Sequence, residues 1–335
     1  MPVTQPYRRT CRQFVNGTYA GGGRWMYVLH PKFAVVPAQY VRAFELIQKD
    51  ALQLFDYVEP ADVNLNCYSY RIHELLMRAC VEVEANCKAI MSENGYVPTG
   101  NWSMVDYKKL DATHHLSAYE VRLPLWHGNQ NTRRPFSAWP AGGLGWYQAY
   151  NQSKHDRHQN FPLANFENLI NAICGLVAVL GAQFHTWDFS PAGAGLGLEL
   201  GRPTDGFEVA IGDYFQIKFP GNWVAADQYD FEWEVLKGQQ DPFQSSRSER
   251  GGWVEHHEAF VRRGAAPAGS YTQHEHSGGI GAPSGATRSP RLEQADTPAG
   301  HSRRCRRREA GPGAVTAAIG APRGARRGPK KDRGH

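Results

Sequence analysis

The chain has no C-x-x-C pair: its six cysteines stand apart at Cys11, Cys67, Cys80, Cys87, Cys174 and Cys305. That spacing argues against a zinc ribbon or a disulfide framework and favours reduced thiols in a cytoplasmic protein. No glycine-rich phosphate loop, G-x-G-x-x-G fingerprint or G-x-S-x-G nucleophile elbow occurs, so those three chemistries have no foothold. The longest apolar run, residues 169–180, falls short of the ~20 residues needed to span a bilayer. Residues 1–19 are polar and Arg-rich without an apolar h-region, which predicts neither a secretory signal nor a membrane anchor.

Residues 245–335 lack something else. They contain only seven Leu, Ile, Val or Phe, with Gly and Pro throughout. So little apolar surface cannot offset an ordering cost of about 1–2 kcal/mol per residue, and the pattern predicts a disordered tail. This tail carries 17 Lys and Arg against 8 Asp and Glu, whereas residues 1–244 carry 20 against 24. The net charge of +5 therefore belongs to the tail, and the body is not a basic nucleic-acid binder by composition. The basic clusters at 303–308 and 326–331 suit nonspecific contact with RNA or anionic surfaces. A solvated tail, or read-through in a wrong frame, is the plainer account of them.

The body is long enough for a sizeable core. Residues 1–23 read as a flexible lead segment ending in three glycines, and residues 24–30 as extended. Pro37 opens a helix whose apolar positions Val41, Phe44, Ile47, Ala51, Leu54 and Phe55 share one face. A second helix over residues 68–93 carries a broad stripe from Ile72 to Ile90, with Arg78→Glu82 and Glu84→Lys88 as i,i+4 pairs. Asn94-Gly95 should end it. Ser103 with Asp106 suggests an N-cap for a short helix, and residues 119–125 a strand. A loop over 127–145 leads to the polar segment 146–158, and a central helix spans 162–184. Residues 208–219 and 229–236 read as two strands of a small appended sheet. The spacing thus divides the chain into a flexible segment (1–23), a helical domain (24–190), a β appendage (191–244) and the tail.

Chemistry concentrates in one place. Asn151, Lys154, His155, Asp156, Arg157 and His158 fall within eight positions beside the most apolar helix. On a helix Asn151 and His155 are i,i+4 neighbours, and Tyr147, Asn151, Lys154 and His158 form an adjoining line. An imidazole, an amide, an amine and a phenol on one face suit a phosphate or a ribose hydroxyl. The plainer reading is a set of polar ties between helices. Glu84 sits on the largely apolar line His73, Met77, Cys80, Cys87 and Met91. It needs a partner, for which Lys154, His155 and Arg157 are available. An inter-helix tie fits Glu84 better than a general base. His155 and His158 lack a third ligand, so no metal site is expected.

At Trp146, Tyr150-Asn151-x-x-Lys154-His155-x-Arg157, Ala164-Asn165 and Leu169-Ile-Asn-Ala172, the chain resembles the HEPN-type helical proteins. It is similar more closely to uncharacterised bacterial families with a Tyr-Asn-x-x-Lys-His signature, over about residues 40–185. The segment ending at Asp241-Pro-Phe243 resembles their C-terminal portion. HEPN ribonucleases carry Arg, a polar residue, three further positions and His, and cut RNA without metal across a dimer. The resemblance puts the His on His155 and the polar residue on Asn151, with Tyr150 in place of the Arg. A tyrosine is neutral at pH 7 and cannot clamp a phosphate as guanidinium does.

The resulting expectation is a mainly α, HEPN-like helical bundle with a small β appendage and a disordered basic tail. Its function is expected to be non-catalytic binding of RNA, a nucleotide or a partner protein, in a bacterial defence or toxin–antitoxin setting. The alternative is a metal-independent endoribonuclease. There His155 is the acid/base, Asn151 orients it, and Lys154 or Arg157 stabilises phosphate. Tyr147, Tyr150, Arg157, His158 and Glu84 complete the candidate site in either case. No cofactor is implied. A homodimer is expected from the apolar faces, and an antitoxin-like protein is a candidate partner.

Overall fold

The computed structural model describes residues 1–189 and 205–244. The expected tail, and most of the link after Pro191, lie outside these residues. Helix α1 (Pro37–Phe55) opens on Pro37, whose missing N–H costs nothing there. It buries Val41, Phe44, Ile47, Ala51 and Leu54 on one side. Helix α2 (Tyr70–Glu93) begins where Ser69 Oγ accepts the Ile72 N–H at 3.2 Å. It ends at Asn94, and Gly95 follows at φ +81°, a conformation glycine adopts without strain. The Ser103–Asp106 capping box starts α3 (Met104–Lys108), and α4 (Leu110–His114) continues from it.

Strands β1 (Glu120–Arg122) and β2 (Thr132–Arg133) precede α5 (Gly145–His155), α6 (Arg157–Asn160) and α7 (Phe166–Phe184). Strands β3 (Glu208–Val209) and β4 (Gln216–Lys218) and helix α8 (Trp233–Leu236) complete the described order. The fold is mainly helical with one small antiparallel sheet, ordered β2-β1-β4-β3. Val121 lies opposite Ile217 on one side and Arg133 on the other.

Helix α7 is the centre. Apolar almost all round, it is covered by α1, α2, α5, β1 and β4. It is long and apolar enough to cross a membrane by length and composition, yet it lies buried in the body as a core helix. The sheet approaches it closely: a Cβ on Gly181 would stand 2.5 Å from Ile217 Cδ1. A side chain at 181 would require the Ile217 side chain to shift. The main apolar stripes of α1, α2 and α7 are buried within one chain.

Four expectations are corrected, all by packing. Residues 1–23 are not a loose lead segment. Cys11 and Phe14 are buried, the Cys11 N–H donates to Ala182 O at 2.8 Å, and Val3 and Phe14 each form a bridge to Tyr229. Residues 24–29 are not extended but belong to a 3-10 helix, Gly21–Leu29, and only His30 after it is extended. That turn buries Tyr27 edge-on against Phe14, Phe33, Tyr229 and Phe231, and this aromatic packing outweighs strand propensity. Residues 229–236 are not a strand: Tyr229 makes isolated bridges and Trp233–Leu236 is helical. The sheet is no appendage either, because β4 pairs with β1 from the helical half and all described residues belong to one unit.

Candidate functional site

Helix α5 buries Trp146, Ala149, Tyr150 and Ser153 against α7 and α2. That three-to-four spacing turns the polar residues outward: Lys154, His155, Arg157 and His158 are exposed and Asn151 is half-buried. The helix breaks at Asp156 (φ −139°, ψ 77°), whose carboxylate caps α6 by accepting the Gln159 N–H at 3.2 Å. The expected line from Tyr147 to His158 therefore does not continue, since His158 lies on the next helix. Among the described residues the Asn151 and His155 side chains make no hydrogen bond, so the expected base and orienter are not joined.

The inner side of α5 holds a different set. Tyr147 Oη donates to Glu84 Oε1 at 2.8 Å, and Lys88 Nζ lies 3.7 Å from Glu84 Oε2. Glu84 is thus tied by a phenol and by its own-helix lysine, not through direct ion pairs with Lys154, His155 and Arg157 as the sequence suggested. Lys154 Nζ donates to Tyr150 Oη at 3.2 Å. Burial, then the bond to Glu84, pushes the Tyr147 phenol far up, and burial also raises Tyr150. The bond to Tyr150 raises Lys154 in turn. Both phenols stay neutral and Lys154 stays charged near pH 7, so none of these three is poised to exchange a proton. Tyr150 is only 1% exposed and belongs to the core. This seam is an inter-helix tie.

The outer side carries an arrangement that the sequence reading missed. Tyr70, 67% exposed, rests on Phe161 with ring centroids 4.8 Å apart, and Tyr68, 51% exposed, meets the same ring edge-on at 5.4 Å. The Arg157 guanidinium lies over Tyr70, 5.4 Å from its centroid. His73 lies 5.9 Å from Phe161, and its buried Nε2 has no hydrogen-bond partner among the described residues. Lys154, His155 and His158 are exposed on the same stretch of chain as Arg157. The available signal was Tyr68-Ser69-Tyr70: two aromatics flanking an N-cap and off the apolar stripe that begins at Ile72. Aromatics that do not serve the core are candidates for contact with something else.

No group of three or more His, Cys, Asp or Glu residues that could hold a metal ion occurs among the described residues. No family model matches the chain, and no curated protein or solved structure is significantly similar to it.

Proposed function

We propose that this protein is a non-catalytic, HEPN-like module that binds single-stranded RNA through the surface formed by Tyr68, Tyr70, Phe161 and Arg157. The observation that carries the reading is the Tyr70 ring, 67% exposed, with Phe161 packed at 4.8 Å and the Arg157 guanidinium 5.4 Å from its centroid. An exposed aromatic beside cations offers a base a stacking face and its phosphate a counter-charge, and this works for single strands of any sequence. Lys154, His155 and His158 extend the cationic side. Two features support a binding role over cleavage. Tyr150, in the position of the ribonuclease arginine, is in the core, and His155 has no hydrogen-bonded orienter among the described residues. An antitoxin-like partner would compete for the same face.

The test is fluorescence anisotropy of a labelled single-stranded RNA with the full chain at near-physiological salt. Tyr70→Ala and Arg157→Ala are measured beside it, together with a cleavage assay in EDTA that includes His155→Ala. Loss of one stacking face is worth about 1–3 kcal/mol, so Tyr70→Ala should weaken binding about 5- to 150-fold. Unchanged affinity in both variants would reject this surface. Metal-free cleavage lost in His155→Ala would replace the binding reading by the catalytic one.

A further inference from the structure

A cavity of about 650 Å³ opens beside the C-terminal end of α7, remote in sequence from the α5–α6 surface. Its volume falls in the range of small-molecule pockets, roughly 300–1,000 Å³. Among the described residues its wall is chiefly aromatic, with Tyr19, Trp25 and Trp187 beside the buried Phe184. Trp25 and Trp187 stack with ring centroids 4.7 Å apart, yet Trp187 remains 39% exposed. An indole left this open serves the core poorly and offers a face to something else.

The turn after α7 holds Trp187 in this position. Its N–H donates to Phe184 O at 3.0 Å, and Phe189 packs edge-on against Phe184 at 5.1 Å. His185 and Phe189, on either side of Trp187, both stand at φ 56°, in the left-handed region that favours glycine. Strain of this kind persists only where the surrounding structure imposes it, and it gathers at binding sites.

The polar groups on the wall are already in use. Tyr19 Oη donates to Pro220 O at 2.7 Å and accepts from Trp223 Nε1 at 2.6 Å. Thr18 Oγ1 donates to Asn16 Oδ1 at 2.9 Å, and Thr186 Oγ1 lies 3.2 Å from His185 Nδ1. His185 Nε2 is wholly buried, and burial lowers the imidazole to about 4, so the ring is neutral near pH 7. Glu208 is engaged within the chain, and no lysine or arginine is among the described residues that line the cavity. Aromatic faces are what these residues leave for a ligand.

We infer that this cavity binds a small neutral aromatic molecule against the open part of Trp187. An anion finds no counter-charge among the described residues, and an ammonium finds a carboxylate that is already engaged. Burying either charge unpaired is costly. A saturated ring fills the same volume but forgoes the ring–ring contact with the wall.

Four probes of similar size separate these cases: benzyl alcohol, cyclohexylmethanol, benzylamine and benzoate, titrated into the full chain at neutral pH by ligand-observed NMR. Benzyl alcohol should bind saturably, at least about threefold more tightly than cyclohexylmethanol and at least about tenfold more tightly than either ion. Trp187→Leu should weaken benzyl alcohol about tenfold and remove its advantage over cyclohexylmethanol. Should that variant fail to fold, nuclear Overhauser contacts between benzyl alcohol and the Trp187 indole of the unaltered protein decide. Their presence supports the site and their absence overturns it. No saturable binding, equal or tighter binding of cyclohexylmethanol or of either ion, or unchanged affinity in Trp187→Leu would also overturn the assignment.

Discussion

Arg9 Nε lies 2.7 Å from Glu93 Oε1, and the arginine is wholly buried. The approach is an ion pair whose angle falls outside hydrogen-bond geometry. Nη1 donates to Gln183 Oε1 at 3.0 Å, Nη2 donates to Val35 O at 2.6 Å, and Gln183 Nε2 donates to Asn86 Oδ1 at 2.9 Å. The Tyr40 ring faces the guanidinium at 4.5 Å. One side chain from the N-terminal segment thus joins α1, α2 and α7.

Removing one member of a buried pair strands the other, which costs more than the pair itself contributes. Arg9→Ala should destabilise the fold by about 3–5 kcal/mol in urea melts, and Glu93→Gln by a comparable amount, because it leaves the wholly buried guanidinium without its counter-charge. A change below about 1 kcal/mol for Arg9→Ala would show that the N-terminal segment is not fastened through this residue.

The seam between α2 and α5 and the outer face of α5 should respond differently. Tyr147→Phe removes the phenol that satisfies half-buried Glu84 and should cost about 1–3 kcal/mol, with RNA affinity unchanged. His155→Ala, on the exposed face, should alter stability by no more than about 0.5 kcal/mol. Equal destabilisation by both substitutions would mean that His155 is an inter-helix tie after all.

His185 should make the protein sensitive to mild acid. Its folded value is about 4 and its unfolded value 6.5. Above 6.5 both states are neutral and the residue has no effect. As pH falls from 6.5 towards 4, the unfolded chain takes up a proton that the folded chain refuses, so stability is lost. A shift of this size corresponds to on the order of 3 kcal/mol, complete below about pH 4. Burial lowers His30 and His115 in the same direction. The informative measurement is therefore the difference between the unaltered protein and His185→Gln in urea melts from pH 7 to 4. Parallel curves would remove His185 from the account.

The main helices were legible because their information is local. Pro37 at a first turn, Ser69 and Ser103 as caps, Asn94-Gly95 as a stop and three-to-four apolar spacing are each written within a few residues. The placement of α7 at the centre followed from its lack of a polar face, since only burial suits such a helix. The polar crowding at residues 146–158 was also visible, but not the side from which each residue would be used.

What the tertiary structure decided is non-local. Tyr229 is about 200 positions from Tyr27 and Phe14 in sequence, and their mutual packing accompanies the helix over residues 21–29. Glu84 found Tyr147 instead of the nearby cations, because the buried side of α5 faces α2 and the charged side faces solvent. Tyr70 and Arg157 lie 87 positions apart, and the chain must fold before they meet. The sequence determined which segments are helical and which helix is buried, through periodicity and capping. Which side chains face one another was settled only when α2, α5 and α7 packed, because contact across helices depends on their relative rotation, and no local pattern encodes that.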